Sequence, residues 1–295
     1  WQLGYAVFPW VALVPLALFG GRRTLLSGQR LTRSLALAWL ATSFALFSLM
    51  QTKFHHYILP AVPALAILIG LGAERLLRAR HRRADLTLLV LTGAALTLLV
   101  GRDLYAFREG QPTSARLLHL FTYNYERAFP DDLDFTKPLM SFAWLAAGTA
   151  ALLCWPRLRA RATQGLFALG VLFATWCLCV YFHALAPHWG QRELALRYQE
   201  ARRERPGPLV AYQMNWKGEN FYSGNGVAVL LDRGRDAKAY FLAERKRGTR
   251  AFYVVTSEGY SRSLRADIGQ DAELVSLTDE RTNNKFKLFR ASFAR

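Results

Sequence analysis

Residues 53–57 read Lys-Phe-His-His-Tyr, which brings an ammonium, two imidazoles and a phenol into one short stretch. Lys53 carries a fixed positive charge and three donors, the equipment for meeting a phosphate. Tyr57 adds a hydroxyl four residues on, and a helix through both would set them on one face. Pro60 is a favoured first helical residue; a helix that begins only there leaves Lys53 and Tyr57 in a turn, with no fixed alignment. Lys and Tyr are also ordinary anchors at a membrane–water boundary, where they snorkel. Side chains of the adjacent His55 and His56 splay apart on a helix, so joint chelation of one ion is awkward. They read as polar interface residues or acceptor contacts, with a divalent metal as the alternative.

A second group stands far downstream, in Asn215-Trp216-Lys217-Gly218-Glu219-Asn220-Phe221-Tyr222-Ser223-Gly224-Asn225. Trp216, Glu219, Asn220 and Tyr222 combine stacking surface with hydrogen-bonding groups, a set that suits a sugar or an acceptor. The same stretch also reads as a packed, glycine-turned connector without a ligand. Asp131, Asp132 and Asp134 follow Pro130. Carboxylates in such a cluster can hold a hard cation, but the glycine and terminal Glu of an EF-hand loop are missing, and a solvated turn is the better description. Cys154, Cys177 and Cys179 lie in or beside apolar runs and form neither a disulfide framework nor a zinc pattern. The chain lacks a dinucleotide-binding glycine fingerprint and a phosphate-binding P-loop.

The elements that must position these groups follow from composition. Of 295 residues, 52% are hydrophobic and only 20% charged, against roughly 25% charged in soluble domains. The deficit falls in the first two thirds, which excludes a single water-soluble globule, a disordered chain and a fibrous repeat. Six apolar runs are candidate spans: Gly4 to Gly20, Ser34 to Met50, Tyr57 to Ala73, Leu86 to Gly101, Leu139 to Trp155 and Gly165 to Leu185. Each is long enough or nearly so to cross a hydrocarbon core of about 30 Å, and in hydrocarbon the backbone must satisfy itself, so helices are expected.

The net charge of +17, from 38 Lys and Arg against 21 Asp and Glu, would ordinarily suggest nucleic acid. Much of the excess sits in short connectors instead. Arg22, Arg23, Arg30 and Arg33 lie in the first, Arg75, Arg78, Arg80, Arg82 and Arg83 in the third, and Arg157, Arg159 and Arg161 in the fifth. Alternate connectors are thus Arg-rich, the signature of cytoplasmic loops that also meet anionic membrane lipids. No nucleic acid partner is expected. The connector with Lys53, the long fourth connector and the C-terminal region then lie outside. The chain begins with Trp1 and enters an apolar run almost at once; the expectation is a piece that starts partway through a larger membrane protein.

After Pro187 the composition becomes that of soluble protein. Gln191–Arg205 reads as a charged amphipathic helix stopped by Pro206-Gly207-Pro208. Strands are expected at Leu209–Met214, Val227–Leu231, Ala251–Thr256, Glu273–Leu277 and Lys285–Arg290, with helices at Asp236–Arg247 and Ser257–Asp267. The fold class expected is a polytopic α-helical membrane region over residues 1–187, with about six transmembrane helices. A small α/β extracytoplasmic domain follows over residues 188–295.

The segment Lys53-Phe54-His55-His56-Tyr57-Ile58-Leu59-Pro60, followed by Pro63 and an apolar helix, resembles the K-x-x-x-Y-x-L-P segment of family 39 glycosyltransferases. That family includes bacterial aminoarabinose transferases acting on lipid A and more distant protein mannosyltransferases. The resemblance covers roughly residues 1–100, and later spans only by general layout. It implies a membrane enzyme of the C-type fold in the bacterial inner membrane, with its C-terminal domain in the periplasm. Such an enzyme takes a sugar from a polyprenyl-phosphate carrier and transfers it, with inversion, to an envelope lipid, glycan or protein. Lys53 would neutralise the departing phosphate and Tyr57 would hydrogen-bond it, with His55 and His56 nearby. The general base of the family is an acidic residue in the first external loop, expected upstream of this chain, so these residues alone should be inactive. The resemblance fixes no cofactor; it admits a divalent metal, which some relatives use. Two other classes compete: a transporter, which would place ionisable groups in mid-membrane, and a non-catalytic scaffold or sensor centred on the loop around Trp216.

Overall fold

The computed structural model describes residues 1–20, 27–51, 55–79, 83–105, 107–108, 111–112, 117, 133–231, 235–269, 271–279, 282–283 and 285–293. The chain divides into two compact units, one of Trp1–Phe129 with Asp134–Val180, the other of Pro130–Leu133 with Tyr181–Arg295.

The first unit is helical. It opens with α1 (Gln2–Ala6), a 3-10 turn at Trp10–Leu13 and α2 (Val14–Phe19). The first expected span is therefore a broken path. Pro9 supplies no N–H and biases Phe8 away from helical angles, and Pro15 sits in the first turn of α2, where proline is tolerated. Next come α3 (Ser27–Leu49), a 3-10 turn at His55–Ala61, α4 (Val62–Arg78) and α5 (Ala84–Tyr105). Phe107–Arg108 and Gln111–Pro112 (β1 and β2) form a small antiparallel ladder. Then follow α6 (Thr136–Leu152) and α7 (Arg159–Trp176), which passes through a π-helical segment at Cys177–Tyr181 into α8 (Phe182–Trp189).

Among the described residues four helices are long and apolar enough to cross a membrane: Gly28–Leu49, His56–Arg78, Ala84–Tyr105 and Arg159–His188. These take in the second, third, fourth and sixth expected spans. The fifth is α6, whose 17 residues cover only about 26 Å, and the first is interrupted as above. Six continuous spans were expected; four meet the length.

Helix packing in this unit relies on small residues, as expected where lipid supplies no hydrophobic drive between helices. A methyl group on Gly93 of α5 would stand 1.8 Å from the carbonyl oxygen of Ala12, and one on Gly101 would stand 2.3 Å from Cβ of Ala143 in α6. Ala12, Ala94 and Ala150 form a buried cluster. Leucines such as Leu13, Leu68, Leu86 and Leu104 are buried as well, while Trp39, Phe44, Leu88, Trp144, Phe167 and Leu172 are exposed.

The second unit is built around a sheet. Helix α9 (Arg192–Glu204) precedes β3 (Leu209–Tyr212), α10 (Lys217–Ser223), β4 (Val227–Leu230), α11 (Arg235–Lys246), β5 (Ala251–Ser257), a 3-10 turn at Glu258–Tyr260, α12 (Ser261–Ile268), β6 (Ala272–Ser276) and β7 (Phe286–Phe293). The strands form one mixed sheet in the order β4-β3-β5-β7-β6. β3 runs parallel to β4 and β5, with Leu209 opposite Val227 and Tyr253. β7 runs antiparallel to both β5 and β6.

Side-chain alternation divides the core into two layers. Val210, Tyr212, Phe252 and Val254 pack with Ala237 and Phe241 of α11 and with Leu264 and Ile268 of α12. Leu209, Ala211, Tyr253, Val255, Phe286 and Leu288 pack with Leu194 and Tyr198 of α9 on the other face. The buried phenols are paired: Tyr212 donates to Asp267 at 2.7 Å, and the Tyr253 hydroxyl lies 2.7 and 2.8 Å from the carbonyl oxygens of Ala201 and Arg205, which share its one hydrogen. Asn283, fully buried, donates to the carbonyls of Pro187 and Gly190 and accepts from the amides of Lys285 and Phe286. Every strand and helix expected after Pro187 is present within a few residues. One helix was not foreseen: the supposed connector at 215–225 contains α10, closed by Gly224 in the left-handed region at φ 62°.

Candidate functional site

The first candidate lies where the chain enters α4. Lys53 falls outside the described residues, as does the side chain of His55. The backbone from His55 to Ala61 is 3-10 helix, with Pro60 inside it; α4 proper begins at Val62 with Pro63 in its first turn. The helix thus starts later than Pro60, and Tyr57 rides on a tighter turn of three residues rather than 3.6. Tyr57 is half-buried. Its ring lies 6.2 Å from Phe47 of α3 and 5.0 Å from His56, nearly perpendicular to the latter at 87°.

Three contacts fix the sense of the helices here. Phe47 near the end of α3 meets Tyr57 before the start of α4. Gln29 near the start of α3 donates to Glu74 near the end of α4 at 2.6 Å. Arg75 lies 3.9 Å from Asp85 in the first turn of α5. Helices α3, α4 and α5 therefore alternate in direction, and the far end of α5, with Asp103, comes to the same end of the unit as Tyr57. At that end the hydroxyl of Tyr5 donates to the Asp103 carboxylate.

Beneath this lip is a cavity of about 330 Å³. All its lining residues are apolar or glycine, among them Leu3, Gly4, Leu40, Leu65, Leu99 and Val100. Leu40 lies seven residues, two turns, below Phe47 on the same face of α3. Val100 lies one turn below Asp103 on α5, and Gly4 adjoins Tyr5. The arrangement is an apolar slot with Tyr5, Tyr57, His56 and Asp103 carried by the elements that bound its upper end. Such a slot accepts a hydrocarbon chain whose polar end stays at the lip.

The second candidate is α10. Its residues do not converge on one ligand. Trp216 is 49% exposed and Tyr222 37%, whereas Glu219 is only 3% exposed. Asn220 is half-buried. The ammonium of Lys285 covers one face of the Trp216 ring at 3.9 Å from its centroid, and Phe286 packs against it at 5.9 Å. Glu219 is buried, and neither of its carboxylate oxygens finds a hydrogen-bond partner among the described residues.

Among the described residues no group of three or more His, Cys, Asp or Glu is placed to hold a metal. Asp131 and Asp132 lie outside the described residues; Asp134 accepts from the Thr136 amide at 2.8 Å, the turn expected for it.

No family model, curated protein or solved structure matches the chain. Asp103 is not among the residues singled out from the sequence; it belongs to the last turn of α5. The available signal is its position just beyond an apolar run, three residues after Val100.

Proposed function

We propose that this chain is part of an inner-membrane glycosyltransferase that uses a polyprenyl-phosphate-linked sugar. The acceptor would be an envelope lipid, glycan or protein on the extracytoplasmic face. The observation that carries the reading is the apolar slot beneath a lip that bears Tyr57, His56, Tyr5 and Asp103, with Lys53 four residues before Tyr57 in the sequence. An isoprenoid tail needs a long apolar surface, and its phosphate needs a cation and donors where the tail meets water.

On this reading the slot takes the first isoprene units and Lys53 neutralises the phosphate as the sugar departs. Charge stabilisation of a leaving group in a partly desolvated site is worth several kcal/mol. Tyr57 donates its hydroxyl to a phosphate oxygen. Asp103, which accepts from Tyr5, adds a carboxylate at the same lip, and the general base that draws the proton from the acceptor hydroxyl is expected upstream of this chain. The six-span topology, with Arg-rich connectors inside and the second unit in the periplasm, belongs to the same proposal.

The test is transfer of sugar from a polyprenyl-phosphate donor by the protein in its full natural length, in membranes. Lys53→Ala should lower the rate about 10²-fold or more and Tyr57→Phe about tenfold, with membrane insertion unchanged. Leu40→Trp, which fills the slot, should raise the donor KM while sparing a short-chain donor analogue. Unaltered transfer in Lys53→Ala would remove the phosphate role, and equal effects on long and short donors would remove the slot.

A further inference from the structure

Helix α10 carries its polarity inside out. Its buried side chain is the carboxylate of Glu219, at 3% exposure, while Phe221 stands 78% exposed beside Tyr222, with Trp216 exposed at the entry. The two rings of Phe221 and Tyr222 pack edge to face at 5.1 Å and form one patch. An amphipathic helix of a soluble domain does the reverse, and a large exposed apolar group beside a buried charge is the informative departure from the rule. Contiguous exposed aromatic surface marks a contact.

We propose that α10 is a bilayer-docking element of the second unit, entering the headgroup region of an anionic phospholipid membrane through Phe221, Tyr222 and Trp216. Three observations select lipid as the occupant. The residue types are those of the interfacial belt, where aromatic rings settle at the headgroup level. Basic groups border the rings: Lys217 is exposed at the start of α10 and Lys285 lies over Trp216. Residues 181–295 hold 20 Lys and Arg against 13 Asp and Glu, a balance that favours an anionic surface. Lastly, α9 begins at Arg192, four residues after the membrane-length helix Arg159–His188 ends, so a bilayer is within reach by covalent connection alone. A short element with aromatic groups on one side and cations around it lies in the interface plane, its apolar side about 5–10 Å deep. The proposal does not depend on sugar transfer.

The experiment uses the full chain in nanodiscs of phosphatidylethanolamine and phosphatidylglycerol. Cys154, Cys177 and Cys179 are replaced by Ala, and an environment-sensitive fluorophore is attached through Phe221→Cys. Tyr222→Cys serves as a second, independent position. Lys246→Cys on α11, which packs on the opposite sheet face, is the comparison. Nitroxide-bearing lipids should roughly halve emission at 221 and 222 and leave 246 unchanged, with aqueous iodide showing the reverse. Replacing phosphatidylglycerol by phosphatidylcholine should weaken the lipid quenching. Iodide quenching at 221 and 222 as strong as at 246 would show an unoccupied surface, and insensitivity to both quenchers would show a protein cover; either result overturns the proposal.

Discussion

The two units of this chain make their closest contacts with different residues. In the first, glycine and alanine sit at the closest helix approaches beside buried leucines such as Leu68 and Leu86, while Trp39, Phe44 and Trp144 look outward. In the second, Tyr212, Phe241, Phe252, Tyr253 and Phe286 fill the interior. A protein in water associates by hiding large apolar groups, whereas helices in lipid gain nothing from that and associate by close approach of their backbones. The close glycine and alanine approaches of the first unit fit helices that pack within lipid. The contrast also makes opposite predictions for substitutions in the two units.

The largest effect is expected at Gly93. A valine there would drive its Cβ into the Ala12 carbonyl, a rigid backbone group, so α5 must move away from the Trp10–Leu13 turn. Overpacking commonly costs 1–3 kcal/mol, occasionally more, and a backbone clash belongs at the upper end. In detergent-solubilised protein the helical unit of Gly93→Val should lose thermal resistance and become readily cut by protease. The sheet unit should keep its fold. Gly148→Val is the control, since nothing stands within 4 Å of that position, and it should behave as wild type. Equal effects at both glycines would mean that close approach is not what holds the helices.

How legible each unit was follows from the same physics. The sheet unit was readable because a half-buried strand alternates, and because Pro206-Gly207-Pro208 and Gly248 mark where elements stop; Gly248 indeed ends α11 at φ 90°. Only α10 escaped, since its buried residue is a glutamate and its exposed ones aromatic, which defeats any reading by periodicity. In the helical unit an apolar run reports that a segment prefers lipid, without reporting continuity. The run from Gly4 to Gly20 is uniformly apolar, and its break at Pro9 is local chemistry that a hydropathy window averages away. The lip of the site was half legible. The Lys53–Tyr57 segment stood out by its residue types, while Asp103 became visible only once α3, α4 and α5 were seen to alternate and bring it to the same end.

The reverse experiment acts on the sheet unit. Phe252 is fully buried and packs edge to face with Phe241 at 5.4 Å. Phe252→Ala should cost about 3–5 kcal/mol, read as earlier unfolding of the sheet unit by protease in urea. The helical unit should show no change in membrane extraction or helicity. Loss of both together would mean that the units are one cooperative body and that the contrast between them has no energetic meaning.

The smallest effect is expected at the edge of the helical unit, at Asp134, and it concerns pH. The Thr136 amide donates to its carboxylate at 2.8 Å, just before α6 begins. That hydrogen bond, first among the causes and aided by the Thr136 side chain and by Lys137, holds the carboxyl below its ordinary pKa. A depressed carboxylate stabilises the fold at every pH above its unfolded value, about 3.9. The contribution is lost as pH falls through the lower folded value. Because Asp134 is exposed, water screens much of the interaction and the gain stays well under 1 kcal/mol. In Asp134→Ala, amides in the first turn of α6 should exchange hydrogen faster at neutral pH. The difference from wild type should shrink as the solution is taken below pH 4. A difference that persists undiminished into strong acid would mean that the charge contributes nothing and that the carboxylate serves only to shape the turn.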